Sequence, residues 1–107
     1  MKVLFLPEIE KYLYELVEIL YQKEYFGFRE SATKYVRELV IEIIEFLPDK
    51  PKKIASDYFS RYGKNMFYTS FKRSRNTQWY VFFTIYEEEE IYLVRYIGTN
   101  HTCSQYL

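Results

Sequence analysis

The sequence is poor in the residues that build disulfide frameworks and zinc modules. It has one cysteine, Cys103, and one histidine, His101, in 107 residues. A single cysteine cannot form an internal disulfide, and this pair cannot supply the four ligands of a structural zinc site. We therefore exclude both classes of scaffold and expect no metal and no other cofactor.

Long apolar runs are also missing. None reaches the about 18 residues that a membrane-spanning helix requires, and Pro7 and Glu8 interrupt the apolar start too early for a signal peptide. We therefore expect a cytoplasmic protein with no membrane partner. The 107 residues, 49% hydrophobic and 21% aromatic, are too apolar for disorder and predict one domain, residues 1–107.

The chain carries no net charge, yet its charges are segregated. The stretch from Lys52 to Arg75 holds seven basic residues and one acidic residue, Asp57, in 24 positions. Residues 1–50 hold seven basic and ten acidic residues. Such a basic segment can meet a polyanion in spite of the neutral total, although a solvated basic loop explains the same residues.

Two stretches have the apolar spacing of amphipathic helices. The first is predicted from Pro7, which suits the first helical position, to about Tyr25. The second is predicted after Ser31, a candidate N-cap, and ends before Pro48. The short linker between them predicts an antiparallel hairpin.

Four segments have the composition of strands: Lys2 to Leu6, Met66 to Lys72, Trp79 to Tyr86 and Ile91 to Ile97. Ala55 to Tyr62 is predicted as two helical turns that end at Gly63. Short connections make the last three strands neighbouring antiparallel hairpins. The order β-α-α-β-β-β predicts an α+β fold in which the helical hairpin covers one face of a small antiparallel sheet and leaves the other face open.

Strand alternation assigns side chains to the two faces. The more apolar set is expected to meet the helices: Trp79, Val81, Phe83 and Ile85. The alternate set is expected to face outward: Tyr80, Phe82, Thr84 and Tyr86. On the last strand, one face is expected to carry Tyr92, Val94 and Tyr96, and the other Ile91, Leu93, Arg95 and Ile97. Because burial of an unpaired guanidinium is costly, Arg95 should reach the open face or pair with a carboxylate, and its stem can also simply cover apolar surface.

The polar stretch after Gly98 contains the candidate proton-transfer group. His101 has the side chain best suited to act as a general acid or base near neutral pH, although a lone histidine is often structural. Cys103 follows two residues later. It lacks the surroundings of a known nucleophilic cysteine signature, so thiol catalysis is not favoured.

Taken together, these features resemble the RelE/ParE toxin superfamily of bacterial toxin-antitoxin systems. The resemblance covers nearly the whole chain: a helical hairpin after a first strand, the basic stretch, the strand Trp79-Tyr80-Val81-Phe82-Phe83, and Ile91 to Ile97 followed by His101. It implies the toxin component of a type II system, with a cognate antitoxin protein as partner. The RelE branch cuts messenger RNA on the ribosome, so ribosome-bound mRNA is the expected substrate.

The chemistry that this resemblance implies is attack of a ribose 2′-hydroxyl on the adjacent phosphate, without a metal. The expected catalytic residues are His101, Arg95 and Tyr106, with His101 moving a proton and Arg95 stabilising phosphate charge. The expected phosphate- and RNA-binding residues are Lys72, Arg73, Arg75 and Tyr80, where a tyrosine ring can stack on a base.

One position departs from the family pattern. Nucleolytic members commonly carry an arginine in the third strand after an aromatic residue, where this chain has Tyr80, which cannot neutralise a phosphate. Two alternatives therefore stay open. The first is a ParE-like toxin that binds DNA gyrase and has no nuclease activity, and the second is an inactive, antitoxin-binding relative with an exposed aromatic interface.

Overall fold

The computed structural model describes residues 1–23 and 26–107 and has an α+β architecture. The strands are β1 (Lys2–Phe5), β2 (Lys53–Ile54), β3 (Phe67–Lys72), β4 (Gln78–Tyr86) and β5 (Ile91–Thr99). The α-helices are α1 (Pro7–Gln22), α2 (Arg29–Phe46) and the short α3 (Asn100–Cys103). Three segments form 3-10 helices: Leu47–Asp49, Asp57–Tyr62 and Ser104–Tyr106.

Helix α1 begins at Pro7 as the sequence predicts, and it places Ile9, Leu13 and Leu16 in the core. The helix ends at Gln22. The predicted extension to Tyr25 lies outside the described residues.

Helix α2 begins two residues before the predicted N-cap. Phe28 has the extended backbone of a cap, and the Ser31 N–H donates to its carbonyl at 3.1 Å, so Ser31 is inside the first turn and is not the N-cap. Arg29, in the first turn, forms an ion pair with Glu18 of α1 at 2.7 Å. This contact joins the two helices and favours the earlier start of α2. The helix ends at Phe46, before Pro48, as predicted.

The sheet has five strands in the order β1-β5-β4-β3-β2 and is mixed. Strands β2 to β5 pair antiparallel, but β1 pairs parallel to β5, so the prediction of a purely antiparallel sheet is wrong. Parallel pairing needs a long connection, and the chain between β1 and β5 runs through the helical hairpin and strands β2 to β4. The sequence of β1 itself carries no signal for the direction of its partner. The two-residue strand β2 is too short to show a periodicity.

The helical hairpin covers one face of the sheet. Trp79, Val81 and Phe83 are buried there and Ile85 packs against them, as strand alternation predicts. The indole Nε1 of Trp79 donates to the Tyr35 hydroxyl of α2 at 2.9 Å, so the one polar atom of this ring is satisfied.

The other face is covered at Phe82 and exposed at Tyr86, so the expectation of an open face is right for only part of it. Phe82 has 0% exposure and lies in a second cluster with Phe59, Met66 and Cys103. The 3-10 helix Asp57–Tyr62 and the C-terminal residues after Thr99 supply this cover. The segment from Ala55 to Tyr62, predicted as two helical turns, forms a 3-10 helix over Asp57–Tyr62 with Gly63 after it, but its sequence does not indicate where it packs.

A β-bulge in β5 explains a second correction. Phe82 pairs with Tyr96 and Phe83 with Val94, which leaves Arg95 as an extra residue between the two pairs. Beyond the bulge Ile97 joins the helix-covered core and Tyr96 packs with the second cluster, so the predicted sharing of one face by Tyr96 and Val94 is wrong.

Candidate functional site

A cavity of about 900 Å³ opens between α1, the C-terminal half of β5 and α3. Its floor includes Leu16, Trp79 and Ile97, which are buried. Most of the charged residues that line it are cations: Lys23, Arg61 and Arg95. Among the residues that the structure describes, the lining includes one carboxylate, Glu8. His101 also lines the cavity. The site is therefore an apolar hollow with a mainly basic border.

The bulge fixes Arg95 at one end of this cavity. Its Nε–H donates to the Thr84 hydroxyl at 2.8 Å, and its Nη2 donates to the Tyr86 hydroxyl at 2.7 Å. The Arg95 stem passes under Gly63, where a Cβ would lie 2.6 Å from the Arg95 Cδ. Arg95 thus points to the outer face, as predicted, and its fork is held by neutral groups that leave its charge available to an anion.

His101 lies at another part of the same cavity. It is exposed on α3, whose start is fixed by Asn100: the Gln78 N–H donates to the Asn100 Oδ1 at 2.9 Å, and Asn100 Nδ2 donates to the Asn76 carbonyl at 3.2 Å. Along β5, about 13 Å separates the Cα of Arg95 from that of Thr99, just before α3. Since Arg95 also points toward Tyr86, away from α3, the structure gives it no direct contact with His101.

Tyr106 belongs to the aromatic cover of the sheet. Its ring is parallel to that of Tyr58, with centroids 3.6 Å apart, and its carbonyl accepts a 2.6 Å hydrogen bond from the Ser56 hydroxyl. The hydrogen bond with Tyr58 raises the pKa of Tyr106 above its usual value, so its phenol is a weaker acid than that of a free tyrosine. Tyr106 is not among the residues that line the cavity.

The predicted phosphate-binding residues lie in different places in the fold. Arg73 contacts α2: it forms ion pairs with Glu42 at 3.0 Å and Glu38 at 3.4 Å, and its guanidinium lies 4.8 Å from the Tyr35 ring centroid. Lys72 and Arg75 are exposed at the end of β3 and in the connection to β4, outside the cavity lining.

Tyr80, the last of the predicted RNA-binding residues, is half-buried on the outer face. Its hydroxyl donates to the Gln78 side-chain oxygen at 3.2 Å, and its ring meets Tyr68 edge-on at a centroid distance of 6.1 Å. Its hydroxyl is thus hydrogen-bonded to a side chain of its own strand.

Arg61, Tyr62 and Tyr96 line the cavity and were not among the predicted site residues. The rings of Tyr62 and Tyr96 stack with centroids 4.1 Å apart, and burial raises the pKa of Tyr96 well above its usual value. The signal that could have found Arg61 and Tyr62 is the run Tyr58-Phe59-Ser60-Arg61-Tyr62, where a cation is interleaved with aromatic residues.

Cys103 is buried, and burial raises the pKa of its thiol although hydrogen bonds to Thr102 and Tyr96 oppose this shift. A protonated, enclosed thiol is a poor nucleophile.

Within the described residues no helix has the length and apolar character needed to span a bilayer, and no cluster of three His, Cys, Asp or Glu residues could bind a metal ion. Comparison of the chain with protein-family models, curated proteins and solved structures gives no match.

Proposed function

We propose that this protein is a toxin of the RelE/ParE type that binds messenger RNA on the ribosome and cleaves it in the cavity beside β5. The observation that carries the proposal is the border of this cavity, where Lys23, Arg61 and Arg95 surround an apolar hollow together with His101. Cations at the border of a cavity can bind the phosphates of single-stranded RNA, and tyrosine rings in its lining can stack on the exposed bases.

In this proposal Arg95 holds phosphate oxygens. Its guanidinium is fixed by Thr84 and Tyr86 through two short hydrogen bonds, so little side-chain entropy remains to be lost on binding. Both acceptors are neutral hydroxyls, which orient the fork and leave its positive charge uncompensated. A preorganised cation of this kind stabilises the extra negative charge that forms as the 2′-hydroxyl attacks phosphorus.

His101 is the proposed proton-transfer group. It is exposed at the cavity border, where it can take the proton of the 2′-hydroxyl or donate one to the leaving oxygen. Because Arg95 lies along β5 from it, we propose that the RNA spans the cavity and that the two residues act on different parts of the bound strand. Arg73, held by Glu38 and Glu42, has no role in this arrangement.

An antitoxin is the proposed protein partner, and the exposed side of α2 is its proposed contact. Ile41, Ile44 and Phe46 are each about half exposed on the last turns of this helix. The outer sheet face is a poorer candidate, since Phe82 is already covered.

The test is cleavage of a defined mRNA on purified translating ribosomes, mapped by primer extension. Wild type should cut within codons. Arg95→Ala and His101→Gln should each slow cleavage by about 10² to 10⁴-fold, through lost charge stabilisation and lost proton transfer respectively. Arg37→Ala removes an exposed arginine of α2 outside the cavity and should keep the wild-type rate.

Two outcomes would overturn the proposal. One is an intact mRNA in the presence of folded wild-type protein. The other is equal cleavage by wild type, Arg95→Ala and His101→Gln. If the mRNA stays intact and gyrase-dependent DNA breaks appear, the gyrase-binding alternative replaces it.

A further inference from the structure

Five side chains form a continuous stack at the surface beside the cavity. At one end the rings of Tyr106 and Tyr58 are parallel, with centroids 3.6 Å apart. At the other end the rings of Tyr62 and Tyr96 lie 4.1 Å apart with an interplanar angle of 13°. Between these pairs the guanidinium carbon of Arg61 lies 4.8 Å from the Tyr58 centroid and 5.3 Å from the Tyr62 centroid.

The central position of this stack is occupied by a charged side chain, that of Arg61. Tyr58 and Tyr62 are each supported from behind by another tyrosine ring, so their orientation is fixed before anything binds. Arg61 is exposed, and within the described part of the chain no carboxylate pairs with it. Moving its guanidinium out of the stack therefore breaks no ion pair among these residues.

We propose that the space between the rings of Tyr58 and Tyr62 is a nucleobase slot, in which an unpaired RNA base stacks where the Arg61 guanidinium now lies. A base is planar and stacks on tyrosine rings with little dependence on its identity. The displaced guanidinium stays at the mouth of the slot, where it can bind the phosphate of the same nucleotide.

The position of the slot connects it to the proposed cleavage site, and the inference rests on that proposed function. Arg61, Tyr62 and Tyr96 all line the cavity that also contains Arg95. The residue after Tyr62 is Gly63, which packs against the stem of Arg95. A base held between Tyr58 and Tyr62 would thus place its backbone at the Arg95 end of the cavity and set the register of the RNA strand.

The experiment is a thermodynamic cycle with a short, fluorescently labelled single-stranded RNA of mixed sequence. Dissociation constants are measured by anisotropy for the intact RNA and for a series in which each position in turn is abasic. The proteins are wild type, Tyr58→Ala, and Tyr14→Ala as a control that removes an exposed tyrosine from α1. Arg95→Ala reports on the phosphate contact separately.

At one position, we expect the abasic substitution to weaken binding to wild type by about 5- to 100-fold. Tyr58→Ala should weaken binding of intact RNA by a similar factor, and combining the two changes should weaken it no further. Tyr14→Ala should behave as wild type does at every position.

Independent, multiplicative effects of the two changes at every position would overturn the slot. If Arg95→Ala still weakened binding in that case, the proposed RNA-binding function would stand without the slot. Failure of folded wild-type protein to bind any of these free RNAs would overturn the slot, whereas the proposed function would still be decided by cleavage of mRNA on translating ribosomes.

Discussion

The burial of Phe82 shows that the outer face of the sheet is covered at this residue. Its side chain has 0% exposure and its ring centroid lies 4.2 Å from that of Phe59 in the 3-10 helix Asp57–Tyr62. Phe82→Ala should lower the free energy of unfolding by about 3 to 5 kcal/mol, because it removes a large buried ring and leaves a cavity. Urea unfolding measures this loss. The control Tyr14→Ala, at a residue 82% exposed, should change it by about 0.5 kcal/mol or less. Equal stability of the two variants would show that the face is open.

Buried titrating groups predict a loss of stability at alkaline pH. Burial raises the pKa of Tyr96, of Tyr12 and of the Cys103 thiol above their ordinary values of 10.0, 10.0 and 9.0. As pH rises, the unfolded chain releases these protons first, so the folded state loses its advantage. The free energy of unfolding should be steady below about pH 8 and fall from about pH 9 upward. Urea titrations across this range test the sign, and a stability that rises above pH 9 would contradict it.

Among the elements, the C-terminal residues and the 3-10 helix Asp57–Tyr62 should stabilise each other. The stacked rings of Tyr58 and Tyr106 join them, and the Ser56 hydroxyl is bonded to the Tyr106 carbonyl. A double-mutant cycle on Tyr58→Ala and Tyr106→Ala should give a coupling free energy of about 0.5 to 1.5 kcal/mol in urea unfolding. Tyr14→Ala combined with Tyr106→Ala should give additive losses. Additivity in the first cycle would mean that the stack does not join the two segments.

The elements also differ in how far the sequence predicts them. Local apolar periodicity identifies an element without knowledge of what it packs against. This periodicity predicted the bounds of α1, α2 and β3 to β5 closely within the described residues. The parallel pairing of β1, the bulge at Arg95 and the cover over Phe82 depend on contacts between distant segments, and no local pattern encodes them.

The candidate site divides in the same way. The outward direction of Arg95 could be predicted, because an unpaired guanidinium cannot be buried. Its turn toward Tyr86, away from His101, depends on the bulge, which the sequence does not reveal. The capture of Arg73 by Glu38 and Glu42 requires knowing that the end of β3 lies against α2.

At the scale of the whole molecule, the proposal predicts toxicity and its relief by a partner. Induced expression in a bacterial host should arrest growth, and co-expression of the proposed antitoxin should restore growth. If that protein binds the α2 surface, Ile41→Asp together with Ile44→Asp should prevent the relief while the toxicity remains, since both side chains are about half exposed and their loss spares the core. Relief that is unchanged in this variant would place the contact elsewhere.

The most direct test of the central claim is to map mRNA ends in growing bacteria shortly after induction, with soluble expression verified. The account predicts new breaks within translated coding sequences for wild type and for Arg37→Ala, and their loss in Arg95→Ala and His101→Gln. Intact mRNA in cells that contain the folded wild-type protein, whether or not they stop growing, would contradict the account.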